Sequence, residues 1–260
     1  MIRRASVRQL AAAGAAVGIS AGSGFAQVDA AAGTIMARRP KVVAFDVIET
    51  LFDPAPLDPA LEKLGLPPAS MKVWFPRFLR DAFALEIAGE FKPFAEVASG
   101  SLKALLAGKG IKATDESIQG ALGVFASLKA HPDVRDGCTL LRSAGVRMLT
   151  LTNGNAGVTG QMLKGAGLDE FMEQSISIDE VQHWKPGREV YLHAARAMKV
   201  APAEMAMIAA HDWDTAGAKR AGLVTGGVIR GAEFSAALPA PDVIARSLPE
   251  VVRQLLALPA

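Results

Sequence analysis

The rhythm of apolar positions changes along the chain, and each change marks an element. Lys41–Phe45 (KVVAF) is a short apolar run ending at Asp46, the pattern of a strand buried on both faces. Residues 54–70 are rich in proline, which predicts a loop and a change of substructure. From Met71 to about Ala130 apolar residues recur at helical spacing, and no strand is expected there. VWFPRFLRDAFALEIAG, SGSLKALLAGKG and DESIQGALGVFASLKA each read as a helix. Beyond His131-Pro132, helices and strands alternate. CTLLRSAG, AGVTGQMLKGAG, GREVYLHAARAM and WDTAGAKRAG read as helices, and VRMLTLTNG, FMEQSISID, EMAMIAAHD and LVTGGVIR as strands.

Strands alternating with short helices predict an α/β fold with a parallel sheet. The core is split. Residues 41–53 carry its first strand, 54–130 form a helical insert, and 131–260 complete the sheet; 27–40 read as a linker. In open α/β sheets ligands bind beyond the carboxyl ends of the strands. The residues to inspect are therefore Asp46 and Glu49, Thr152, Asn153 and Gly154, and His211, Asp212 and Asp214.

Composition narrows the classes. Half of the 260 residues are hydrophobic, ample for a core. The net charge is +2, and removing residues 1–26 takes away Arg3, Arg4 and Arg8 but no acid, leaving −1. Such a chain has no electrostatic footprint for nucleic acid or an anionic membrane. The sole cysteine, Cys138, excludes an intramolecular disulfide, and no cysteine pair suggests structural zinc. Residues 1–26 begin with bases, turn small and apolar from Leu10, and close on Gly24-Phe25-Ala26, an export-signal pattern. Arg3-Arg4 resembles a twin-arginine leader, so the expected location is the periplasm, free of the membrane after processing. A disordered basic N-terminus of a cytoplasmic protein is the alternative.

A carboxylate at the end of a buried strand can be a nucleophile if a cation holds it ionised. Lys185, in VQHWKPGREVY, is the candidate cation. Asp46 alone reads equally well as a helix N-cap or turn former. Lys185 alone reads as a solvated surface residue, and Thr152-Asn153-Gly154 alone as a plain turn. Their order changes the reading. FDxxxTLFD, then LTNG, then WKP, then HDWDxxGAxxAG resembles the four-motif pattern of the haloacid dehalogenase superfamily over residues 41–230 or so. The resemblance implies a Rossmann-like core with a helical cap inserted after the first motif. It implies Asp46 as nucleophile, Thr152 and Asn153 as substrate ligands, Lys185 as the cation beside Asp46, and Asp214 as the last-motif acid.

Within the superfamily, phosphatases carry a second Asp two residues after the nucleophile, and here that position is Ile48. They also bind magnesium through an acid four residues before the last-motif Asp, and here that position is Ala210. Both departures resemble the L-2-haloacid dehalogenase branch, which uses no metal and no other cofactor. The implied reaction converts a small 2-haloacid into a 2-hydroxy acid through an ester on Asp46. A magnesium-dependent phosphatase and a catalytically silent binding homologue are the rivals, and a homodimer is the assembly considered.

Three departures from the branch stand out. Glu49 replaces a Gly and His211 an Asn, and together they suggest a His–Glu dyad that activates the hydrolytic water. Phe75 falls where the branch has an arginine for the substrate carboxylate, so Arg77 and Arg80, one turn apart, are the candidate replacements. Trp74, Phe78 and Phe83 are candidate pocket aromatics, although for any one of them packing within the cap is the stronger reading. Tyr191 reads either as a residue flanking the nucleophile or as packing on the sheet.

Overall fold

The computed structural model describes residues 37–260. The expected leader, 1–26, and most of the expected linker, 27–40, lie outside the described residues. The chain runs β1 (Val42–Phe45), β2 (Phe52–Asp53), then helices α1 (Leu57–Lys63), α2 (Met71–Ala88), α3 (Phe94–Gly108) and α4 (Asp115–Leu122). It continues with β3 (Lys129–Ala130), α5 (Val134–Ser143), β4 (Arg147–Thr152), α6 (Ala156–Ala166), β5 (Gln174–Ser177) and α7 (Arg188–Ala197). The last elements are β6 (Met205–Ala209), α8 (Asp212–Arg220), β7 (Val224–Val228), β8 (Val243–Ala245) and α9 (Leu248–Leu256).

Four consecutive apolar residues make β1 a strand that needs cover on both faces, and it is buried along its whole length. It lies in the middle of a six-stranded sheet of order β5-β4-β1-β6-β7-β8. Both of its neighbours, β4 and β6, run parallel to it. The fold is thus the expected α/β class. The chain builds β4 and β5 on one side of β1, then crosses to β6, β7 and β8 on the other. The order reverses at β1, and the crevice at such a switch point is where an open sheet takes ligands. Asp46, Asn153 and His211 each stand at or just past the carboxyl end of β1, β4 or β6.

The helical insert leaves and rejoins the core through a short antiparallel ribbon, Phe52–Asp53 with Lys129–Ala130. The two-residue β3 corrects the expectation of no strand before Ala130. The expected loop at 54–70 contains α1, with Pro56 at its N-cap and Pro59 in its first turn. Prolines are tolerated there because first-turn N–H groups have no helical partner. Two elements near the end were not foreseen. β8 is a three-residue edge strand, too short for a periodic signal. The helix α9 does carry one, since Leu248, Val251, Val252 and Leu255 all face inward.

Candidate active site

Asp46 is 6% exposed, and both of its carboxylate oxygens are held. Lys185 Nζ donates to Oδ1 at 2.9 Å. Thr50 Oγ1 donates to Oδ2 at 2.7 Å, and His211 Nδ1 lies 3.2 Å from the same oxygen. Thr50 is itself oriented by the backbone N–H of Ala210 at 2.8 Å. The turn after β1 is thus tied to the turn after β6. Sequence reasoning gave Thr50 no role, although it lies inside the quoted first motif.

Lys185 is fully buried and uses all three of its ammonium donors. They go to Asp46, to Asp214 Oδ2 at 2.7 Å and to the carbonyl of Leu151 at 2.9 Å. A buried lysine keeps its proton only with such partners. Burial pulls its pKa down, but Asp214 and Asp46 more than offset this and hold it raised. Burial by itself would raise the Asp46 pKa, yet Lys185 and His211 pull it well below the usual carboxylate range. Asp46 is therefore ionised, as a nucleophile must be. Burial, with the Asp46 charge nearby, leaves the Asp214 pKa raised.

The loop carrying Lys185 is fixed from two sides. Asn153 Oδ1 accepts from the Lys185 N–H at 3.0 Å. Glu86 of α2 accepts from the Trp184 N–H at 2.8 Å. The Lys185–Pro186 peptide is cis. Thr152 Oγ1 accepts from the Gly154 N–H at 2.9 Å, shaping the turn after β4. Asp214 sits in the first turn of α8, where a negative charge suits the helix dipole.

His211 and Glu49 do meet. His211 Nε2 lies 2.5 Å from Glu49 Oε2 while Nδ1 faces Asp46. Burial alone would lower the imidazole pKa, but its two carboxylate partners raise it to about 10. The ring is therefore an imidazolium at neutral pH, donating to both acids. Trp213 stacks on it, with ring centroids 5.0 Å apart. Glu49 adopts φ +65°, a left-handed conformation rare for a residue with a side chain. Its carbonyl accepts from His131 Nε2 at 3.0 Å.

Several expected residues lie elsewhere. Arg77 and Arg80 are on the exposed face of α2, and Arg80 pairs with Asp81 at 2.7 Å. Neither lines the cavity over Asp46; Phe75, Phe78 and Leu79 of the same helix do, with Phe94, Trp213 and Ile48. Trp74 is buried against Phe75, Phe78 and Phe125 and does not line that cavity. Phe83 packs on Trp213. Tyr191 also lies away from the cavity, fully buried, where its hydroxyl donates to Asp214 Oδ1 at 2.6 Å. It holds the acid that holds Lys185. Thr152, Asn153 and His211 do line the cavity.

A family model described as haloacid dehalogenase-like hydrolase matches residues 40–222. Among curated relatives, (S)-2-haloacid dehalogenase 1 of Pseudomonas sp. (strain CBS-3) is 27% identical over 187 residues, 71% of this chain and 82% of that protein. Phosphoglycolate phosphatase of Neisseria meningitidis is 27% identical over 225 residues, 83% of this chain and 93% of that protein. Among solved structures, L-2-haloacid dehalogenase from Xanthobacter autotrophicus superposes with a TM-score of 0.77 at 22% identity, covering 84% of this chain and 99% of that one.

Proposed function

Because the chain belongs to the haloacid dehalogenase-like hydrolase family, we propose that it removes halide hydrolytically from a 2-haloacid, with Asp46 as nucleophile. The observation that carries this reading is Ile48, whose side chain lines the cavity over Asp46. A phosphatase of the superfamily is expected to have an acid there, to protonate a departing alkoxide. Halide needs no proton, so an apolar side chain suits it. The phosphatase relative supports a second reading. That reading must do without acids at both Ile48 and Ala210.

In the proposed reaction the Asp46 carboxylate forms a bond to C2 as the carbon–halogen bond breaks, and halide leaves with the electron pair. Lys185 and His211 hold the attacking group ionised. Once esterified, Asp46 loses its charge, and His211 loses one of the two carboxylates that raise its pKa. Its Nδ1 proton, left without an acceptor, is released to solvent, while Nε2–H stays donated to Glu49, so the freed Nδ1 faces the ester. The neutral imidazole then takes a proton from the water that attacks the ester carbonyl. The tetrahedral adduct collapses, the alkoxide takes the proton of the newly formed carboxyl, and Asp46 is restored. The sum is haloacid plus water to hydroxy acid, halide and one proton. The general base is thus created by the first step rather than waiting in the resting enzyme.

Halide and phosphate release from matched 2-haloacid and phosphate-ester substrates, each with and without chelator, tests the reading. Halide release that survives chelation is expected. Phosphate release that chelation abolishes and magnesium restores would replace it with the phosphatase.

A further inference from the structure

The cavity directly over Asp46 measures about 20 Å³, room for roughly one water. Two larger cavities adjoin it. The first, of about 700 Å³, shares Phe75, Leu79 and His211 but is ringed by charge, with Lys72, Asp212, Arg230 and Glu233 on it, and suits no apolar group. The second, of about 270 Å³, shares Ile48, Phe94, Thr152 and Gly154. Its far walls are Phe125 and Ala126 from the end of the helical insert and Val158 and Met162 from α6. They are apolar. Asp179 stands at the exposed rim and repels an anionic end. Among the described residues no lysine or arginine lines the second cavity or the small one over Asp46. The cationic group on the smaller one, His211, is already shared between Asp46 and Glu49.

A substrate held only over Asp46 would have neither room nor an uncommitted cation. We infer that the second cavity receives the substrate's tail. The preferred substrates would then be haloacids with an alkyl chain or aryl ring of several carbons beyond C2. This rests on the dehalogenation reading above. Binding that an arginine would supply through the carboxylate is supplied here by apolar surface leaving water, in proportion to the area buried. Ile48, which faces both cavities, separates the reacting carbon from the tail and becomes a specificity-determining residue. Small-molecule sites are commonly of this kind, mostly apolar with a few converging polar groups.

The experiment compares kcat/KM for 2-bromooctanoate and 2-bromopropionate, read as bromide release, in the wild type, Val158→Phe and Ala126→Phe. Both substituted positions are half-buried on the cavity wall, so an added ring fills it without replacing a core residue. The wild type should prefer the longer substrate by about tenfold or more, and each folded variant should lose that preference. A wild-type preference for 2-bromopropionate, or a preference unchanged in both folded variants, overturns the inference. Calorimetric titration with octanoate separates it from the dehalogenation reading. If neither bromoacid is turned over but octanoate binds the wild type and not the variants, the tail site stands and the dehalogenation reading falls. If octanoate binds all three proteins alike or none, the tail site falls.

Discussion

At Glu49 the backbone sits at φ +65°, a conformation that costs a residue with a β-carbon about 1–2 kcal/mol. Such strain persists where the surroundings over-determine it, often at functional sites. Here the His211 contact and the His131 hydrogen bond hold the residue in place. Glu49→Gln keeps the strain and removes the charge, whereas Glu49→Gly removes both. The Gly variant should be the more stable of the two by about 1 kcal/mol, measured by urea denaturation, while both lose turnover. The dyad makes a second prediction. Glu49→Gln and His211→Ala should slow ester hydrolysis more than ester formation, so an adduct on Asp46 should accumulate in intact-protein mass spectra. Loss of both steps together would remove the dyad from water activation. Stability supplies a third. The pKa of His211 is raised from 6.5 to about 10 in the folded state, so its contribution is complete below about pH 6.5 and is lost as pH rises through about 10. Denaturation midpoints measured across that window should fall more steeply in the wild type than in His211→Gln.

At the scale of elements, α2 explains why Phe75 and not an arginine faces Asp46. At 3.6 residues per turn, Phe75, Phe78 and Leu79 share one face, and Arg77 and Arg80 point about 140–160° away from Phe75. The inward face is fixed by its aromatic packing, with Phe75 and Phe78 centroids 5.6 Å apart. Turning either arginine inward would expose those rings. The contact of α8 with α7 is equally tight. A β-carbon on Gly217 would stand 2.8 Å from the Tyr191 hydroxyl and 2.6 Å from Pro186 Cβ. Gly217→Ala should therefore displace Tyr191 from Asp214 and disturb the Lys185 loop. A stability loss of about 1–3 kcal/mol, with a larger proportional fall in kcat than in KM, is the expected outcome. An alanine variant with normal turnover would show that the Tyr191–Asp214 contact does not position Lys185.

At the scale of the whole molecule, the basic and then apolar pattern of residues 1–26 keeps export as a proposal. Mature protein from the native host should begin near Gln27 in the periplasm, and N-terminal sequencing that finds Met1 in soluble cytoplasmic protein would refute it. What the chain determined by itself is whatever local pattern carries. The strand at Val42–Phe45, the alternation after His131 and the order of Asp46, Thr152, Lys185 and Asp214 are legible because period, punctuation and spacing are one-dimensional. The meeting of His211 with Glu49 was also legible, since two neighbouring parallel strands bring their carboxyl ends to one edge. The packing of the helical insert was not. Which side of α2 faces the cavity over Asp46, that Tyr191 faces Asp214 instead of that cavity, and that a second cavity opens beside Ile48 depend on how separate elements settle against one another. The proton on His211 belongs to the same class. An imidazole reads as a base in sequence, and only the approach of two carboxylates to its ring turns it into an acid's partner in the resting protein.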